Sequence, residues 1–157
     1  MMGNTIYDLF AEDVDRIIEL NKLFRKQFTK HVDSMGTISF AYEFCTVQVN
    51  AGRQTGKTSY IASRARPGDL VVVANTAMKK HFRDYYALQD GIEVFTADDV
   101  DKMDSPITRA LRINQTVNFK NVYVDEPKLV FAGVMQHVFY KNLTNEDDET
   151  TFVMLGR

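Results

Sequence analysis

The run LVVVAN at residues 70–75 constrains the fold more than any other stretch of the chain. It is apolar at nearly every position yet only long enough for one strand. Both of its faces therefore need cover, which is the pattern of a parallel strand held between two layers of helices. Four further runs have strand length: CTVQV (45–49), IEVFT (92–96), NVYVD (121–125) and TFVML (151–155). Helical stretches separate them. GKTSYIASRA (56–65) stops at Pro67-Gly68, AMKKHFRDYYAL spans 77–88, and SPITRALRI (105–113) carries Pro106 in its first turn. KLVFAGVMQHVFYKN (128–142) reads as one long apolar helix, and NEDDET (145–150) as an acidic loop. The alternation predicts an α/β domain with a mainly parallel β-sheet sandwiched by helices and right-handed crossovers.

The first 34 residues read as a helix that begins with a Thr5-x-x-Asp8 start signal. Ile6, Phe10, Val14, Ile17, Phe24 and Phe28 form one apolar stripe, with Asp13, Arg16, Glu19, Arg25 and Lys26 opposite. Such a helix packs on the core; the alternative is a partner-binding helix. A length of 157 residues suits one domain, residues 1–34 packing on a core of 38–157. With 45% hydrophobic and 25% charged residues the chain is globular rather than disordered. A net charge of −2 excludes a global basic field for nucleic acid, though a local basic face stays open. The lone Cys45 sits in an apolar run and reads as a buried structural residue of a reducing compartment. No run has membrane-spanning length and the N-terminus does not look like a signal peptide, so the expected location is cytoplasmic, or the host cytoplasm for a viral protein. His31, His81 and His137 are scattered, which argues against a zinc site.

The chemistry is concentrated after the first strand. Ala51-x-x-x-x-Gly56-Lys57-Thr58 matches the P-loop pattern except at its first glycine, between a strand and a helix as the pattern requires. Backbone N–H groups of residues 53–58 can curl into an anion nest at the positive end of the helix dipole. Gly52, Arg53, Gln54, Thr55, Gly56, Lys57, Thr58 and Ser59 are therefore the expected nucleotide-binding residues. Gly56 permits close approach to the β-phosphate, Lys57 reaches the β- and γ-phosphates, and the Thr58 hydroxyl coordinates Mg²⁺. Ala51 costs little where the pattern mainly needs a small residue.

A second motif follows in the correct order. NVYVDEP (121–127) is an apolar strand ending in two carboxylates, the Walker B pattern. Asp125 would hold the Mg²⁺ shell beside Thr58, and Glu126 would orient and deprotonate the attacking water. Both motifs fall where α/β sheets bind ligands, at the C-terminal strand edge. A glutamate directly after the metal-associated aspartate suits a hydrolase. A small nucleoside or nucleotide kinase needs an Arg-rich lid, and SPITRALRINQT (105–116), with Arg109 and Arg112, offers no Gly-rich hinge.

GRQTGKT (52–58) resembles the arginine-containing Walker A of large terminase subunits, the ATPases that package viral DNA. DLVVVANTAMKKHF (69–82) is similar to the strand-turn-helix that follows in terminases and helicases, where the turn Ala74-Asn75-Thr76 meets nucleic acid or coupling elements. IEVFTADDV (92–100) and NVYVDEP continue the order. The resemblance covers residues 45–157 and implies a RecA-like, additional-strand P-loop NTPase core. It also implies that Arg53 stabilises γ-phosphate charge, in its own subunit or across an interface, beside the bland alternative of a solvated loop arginine. Gln54 would face the same site or the base. The resemblance stops short of a nuclease domain, a second RecA-like domain and a hydroxyl-rich coupling turn; the last strand runs into Leu155-Gly156-Arg157. A partner protein or self-oligomer is then expected to supply missing motor elements.

Phe40 and Tyr42 suit core or edge packing, or else stacking on adenine. Arg64, Arg66, Lys79, Lys80, Arg83 and Lys120 suit a solvated face, or a nucleic-acid track if they share one side. The expectation is a Mg²⁺-dependent ATPase of phage DNA processing or packaging, with Lys57, Glu126 and Arg53 catalytic, Thr58 and Asp125 on the metal, and DNA as a partner. The alternatives are a nucleotide-binding regulatory module with little turnover and a small kinase.

Overall fold

The computed structural model describes residues 5–50, 52, 56–104, 119–144 and 150–157. The five strand runs form one sheet. Its strands are β1 (Thr46–Val49), β2 (Leu70–Val73), β3 (Glu93–Thr96), β4 (Asn121–Asp125) and β5 (Thr151–Leu155), each within a residue or two of its apolar run. The order across the sheet is β1-β5-β4-β2-β3, and every pairing is parallel. The chain thus has an α/β fold with an all-parallel five-stranded sheet flanked by helices among the described residues.

The pleat sorts each strand onto two layers. Val47, Val71, Val73, Val94, Tyr123, Val153 and Leu155 face one cluster. It is completed by Phe10, Val14 and Ile18 of α1 (Ile6–Arg25), Tyr60 and Ile61 of α4 (Lys57–Arg64) and Phe82 of α5 (Thr76–Tyr85). Leu70, Val72, Val122, Val124, Phe152 and Met154 face the other. There they meet α3 (Thr37–Phe44), α6 (Ala97–Asp101), α7 (Pro127–Val130) and α8 (Gln136–Leu143). Leu70, Val71, Val72 and Val73 are all fully buried, which is why their run shows no alternation. Each buried valine is worth roughly 1.5–3 kcal/mol relative to exposure.

Local signals explain the helix ends. Thr5 and Asp8 exchange bonds of 3.1 Å as a capping box. Asn75 caps α5 by accepting from the Met78 amide at 3.0 Å.

Three expectations need correction. The N-terminal helix is not continuous to residue 34: after α1 the chain tightens into a 3-10 turn (Lys26–His31) and a short α2 (Val32–Met35). Phe, Thr, His and Val there are poor α-formers, and 3-10 winding superposes side chains three apart. Phe28 and His31 consequently lie 5.7 Å apart and both stack on Phe44. The apolar stripe also rotates: Phe10, Val14 and Ile18 are buried, whereas Ile6 and Phe24 are 68% and 50% exposed. Finally, residues 128–142 do not form one helix. α7 ends at Val130, and turns lead to α8. Gly133 packs so tightly on α6 that a Cβ there would come within 3.0 Å of the Ala97 Cβ. The segment must bend to fit beneath α6.

Helix α3 answers to no sequence expectation. The proposed helix at 105–113 lies outside the described residues, as does most of the acidic loop at 145–150. Cys45 is buried. No helix among the described residues is long and apolar enough to cross a membrane.

Candidate functional site

In an all-parallel sheet every strand delivers its last residue to the same edge. The register makes this concrete: Val49 of β1 lies beside Leu155 of β5, which lies beside Asp125 of β4. The loop after β1 and the two carboxylates at the end of β4 therefore meet, with β5 between their strands.

Gly56 opens α4 in a left-handed conformation, φ 90° and ψ 25°. Glycine takes this conformation without the steric cost of a Cβ. It places Lys57 in the first turn, buried, with its Nζ donating to the Gly52 carbonyl at 2.9 Å and paired with Glu126 Oε1 at 3.1 Å. One residue on, the Thr58 hydroxyl donates to Asp125 Oδ2 at 2.9 Å. Gly52 closes its own small turn by donating its N–H to Asn50 Oδ1 at 3.2 Å. Ala51, Arg53, Gln54 and Thr55 lie outside the described residues. Ser59 is exposed, its hydroxyl 3.4 Å from that of Tyr86.

Asp125 is 4% exposed. Burial raises its carboxyl above the usual range. The Thr58 hydrogen bond acts the other way, Glu126 adds to the rise, and Lys57 and His81 offset part of it. Glu126 itself has a left-handed backbone, φ 56° and ψ 73°, unusual for a residue with a side chain. Its amide donates to the Leu155 carbonyl at 3.0 Å.

Thr58 and Asp125 offer hard oxygen atoms side by side, the donor type that suits Mg²⁺. Where a protein supplies only one or two such oxygens, phosphates and water complete the shell.

Several neighbours escaped sequence reasoning. Tyr7 of α1 lies beside Gly56: a Cβ there would come within 2.6 Å of its Cδ1. Asp15 of α1 receives the Tyr60 hydroxyl at 2.7 Å and Arg64 Nη2 at 2.8 Å, clamping α1 to α4. Gly156, just past β5, leaves room for the Glu126 carboxylate: a Cβ there would come within 2.8 Å of its Oε2. Only Gly156 left a trace in the sequence, as a glycine directly after an apolar strand.

For the remaining candidates the structure accords with the packing and solvated-face readings. Phe40 is buried and stacks on Phe44, and Tyr42 meets Tyr140 edge-on at 5.6 Å. Both belong to α3, which leads into the start of β1; Phe40 packs in the interior, and Tyr42 is half exposed. The six basic residues do not share one face. Arg64 is paired with Asp15 at 2.8 Å and Lys79 with Asp99 at 3.3 Å. Arg66 donates to the Ser63 and Ala65 carbonyls. Arg66 and Lys120 precede β2 and β4 and so lie at the sheet edge opposite the loop, while Lys79 and Lys80 sit in the first half of α5.

No family model, curated protein or solved structure matches the chain.

Proposed function

We propose that the chain is a Mg²⁺-dependent P-loop nucleoside triphosphatase, with ATP as substrate, serving viral DNA processing or packaging. The observation that carries this is the convergence of Lys57, Thr58, Asp125 and Glu126 from two distant segments onto one strand edge, with contacts of 2.9 and 3.1 Å. The parallel topology brings both segments to one edge; what supports the reading beyond that is the specific pairing of Thr58 with Asp125 and of Lys57 with Glu126. The strand inserted between β1 and β4 also accords with the additional-strand class. The terminase-like part of the reading rests on the Arg53-Gln54 signature and on motif order.

Thr58 and Asp125 would hold Mg²⁺, which when bound offsets charge on the phosphate oxygens. Lys57 would leave the Gly52 carbonyl and Glu126 for the β- and γ-phosphates. Glu126, released, accepts the proton of the attacking water and positions its oxygen in line. Arg53 would stabilise γ-phosphate charge. Replacing Lys57 with Ala is expected to abolish nucleotide binding, while Glu126→Gln retains binding and loses turnover. Wild-type hydrolysis by Glu126→Gln refutes the assignment.

One observation favours a second reading, a nucleotide-binding regulatory module with little turnover. Glu126 is already held by Lys57 at 3.1 Å, so it is not available as a base until that pair opens. Steady-state phosphate release, with and without DNA, separates the two. Robust turnover by the chain alone excludes the module.

A further inference from the structure

We infer that Gly156 is the positioning residue for Glu126: its missing side chain is the seat on which the glutamate carboxylate rests. The inference rests on the triphosphatase reading for its catalytic meaning and on geometry alone for the seat.

Gly156 is fixed from both sides. Its amide donates to the Val49 carbonyl of β1 at 2.9 Å, and the preceding Leu155 carbonyl accepts the Glu126 amide at 3.0 Å. It lies between the ends of the loop-bearing strand and the Asp-Glu strand because β5 lies between them. A Cβ built on it would stand 2.8 Å from Glu126 Oε2, 3.0 Å from Cδ and 3.3 Å from Oε1. All three contacts are to the carboxylate group and none to backbone. The Oε1 of the same carboxylate pairs with Lys57 Nζ at 3.1 Å. The left-handed backbone of Glu126 directs its side chain back over β5, and the flat surface of a glycine lets it arrive there.

The role follows from what a nucleotide does to this sandwich. Phosphates draw Lys57 away, leaving the carboxylate with one fixed boundary, the Gly156 backbone. That boundary keeps Glu126 at the strand edge, where the attacking water must be held. A methyl group at Gly156 displaces the carboxylate from this place, since the three nearest atoms it would meet all belong to that carboxylate. General-base catalysis is sensitive to such displacement, with losses of about 10- to 100-fold.

Gly156 has φ 112°, so any side chain there strains the backbone and a loss of stability alone decides nothing. The test is a double-mutant cycle of Gly156→Ala and Glu126→Ala, with melting temperature, affinity for a fluorescent ATP analogue with Mg²⁺, and phosphate release as readouts. Gly156→Ala is expected to lower kcat about 10- to 100-fold while analogue affinity stays close to wild type. It should also cost less melting temperature in the Glu126→Ala background, where no carboxylate has to move. Equal melting losses in both backgrounds, together with wild-type kcat, overturn the inference. If Gly156→Ala does not fold, both Gly156→Ala variants and their parents are compared in a stabilising osmolyte: a smaller melting loss in the Glu126→Ala background supports the seat, and equal losses overturn it. If the wild-type chain binds no nucleotide, the triphosphatase reading fails, while the melting cycle still tests the seat.

Discussion

Replacing Thr58 with Val tests the pairing at the centre of the site. The two side chains have nearly the same shape, so the change removes one hydroxyl and little packing. The hydroxyl donates to Asp125 Oδ2 at 2.9 Å, and Asp125 is 4% exposed. A charge-assisted hydrogen bond of this kind is worth about 1.5–3 kcal/mol. A loss of about 2 kcal/mol lowers the melting temperature of a chain this size by roughly 4–8 °C. The sign of the pH dependence follows from Asp125. Burial raises its pKa in the fold, and the Thr58 bond holds that rise down. With Val at 58 the pKa rises further. An acid whose pKa is raised by folding opposes folding when ionised: the penalty is absent below the unfolded value near 3.9, grows through the folded value and is complete above it. The deficit of the variant is therefore largest at neutral to alkaline pH and shrinks on acidification, to about 1 kcal/mol for a bond to the neutral acid. Urea denaturation in EDTA at pH 8 and pH 4 measures it, with Thr58→Ser as the hydroxyl-retaining control. A deficit that is the same at both pH values, or shared by Thr58→Ser, refutes the reasoning.

Two further outcomes are expected. Asp125→Asn keeps an acceptor for Thr58 and removes a buried charge, so in EDTA at pH 8 its melting temperature rises above wild type, while Mg²⁺-dependent nucleotide binding is lost; calorimetry and titration of the ATP analogue read both. Asp15→Asn weakens the clamp between α1 and α4. Hydrogen bonds from Arg64 hold Asp15 below the usual carboxylate range, against partial burial, so its contribution is present above the unfolded value near 3.9 and lost as pH falls through the lower folded one. Stability curves of wild type and Asp15→Asn should therefore separate near neutrality and converge in acid.

Residues that carry their own periodicity or backbone chemistry were legible in the chain. The unbroken apolarity of Leu70–Val73 announced a strand covered on both faces, and β2 is fully buried within an all-parallel sheet. Thr5 and Asp8 announced a helix start because a capping box is built within four residues. Gly56-Lys57-Thr58 and Asp125-Glu126 were expected to come together, and the Thr58–Asp125 and Lys57–Glu126 contacts bring them together at the strand edge. The sequence reading failed where a long-range contact outweighed the local pattern. The helix expected at 128–142 gives way to two because Gly133 must approach Ala97. The basic residues divide between opposite sheet edges because Arg66 and Lys120 precede strands while Lys79 and Lys80 begin a helix, and Asp15 and Asp99, distant in sequence, pair with Arg64 and Lys79.

The sequence by itself determined which layers form and which residue types wait at the strand ends, since hydrophobic period, caps and left-handed glycines act within a few positions. Tertiary structure alone decided that β5 enters between β1 and β4, that Lys57 pairs with Glu126, that Tyr7 lies beside Gly56 and that the Glu126 carboxylate fills the space a side chain at Gly156 would take. Those choices are set by strand order and close packing among segments far apart in the chain; the local pattern shows a glycine after the last strand but not what it meets.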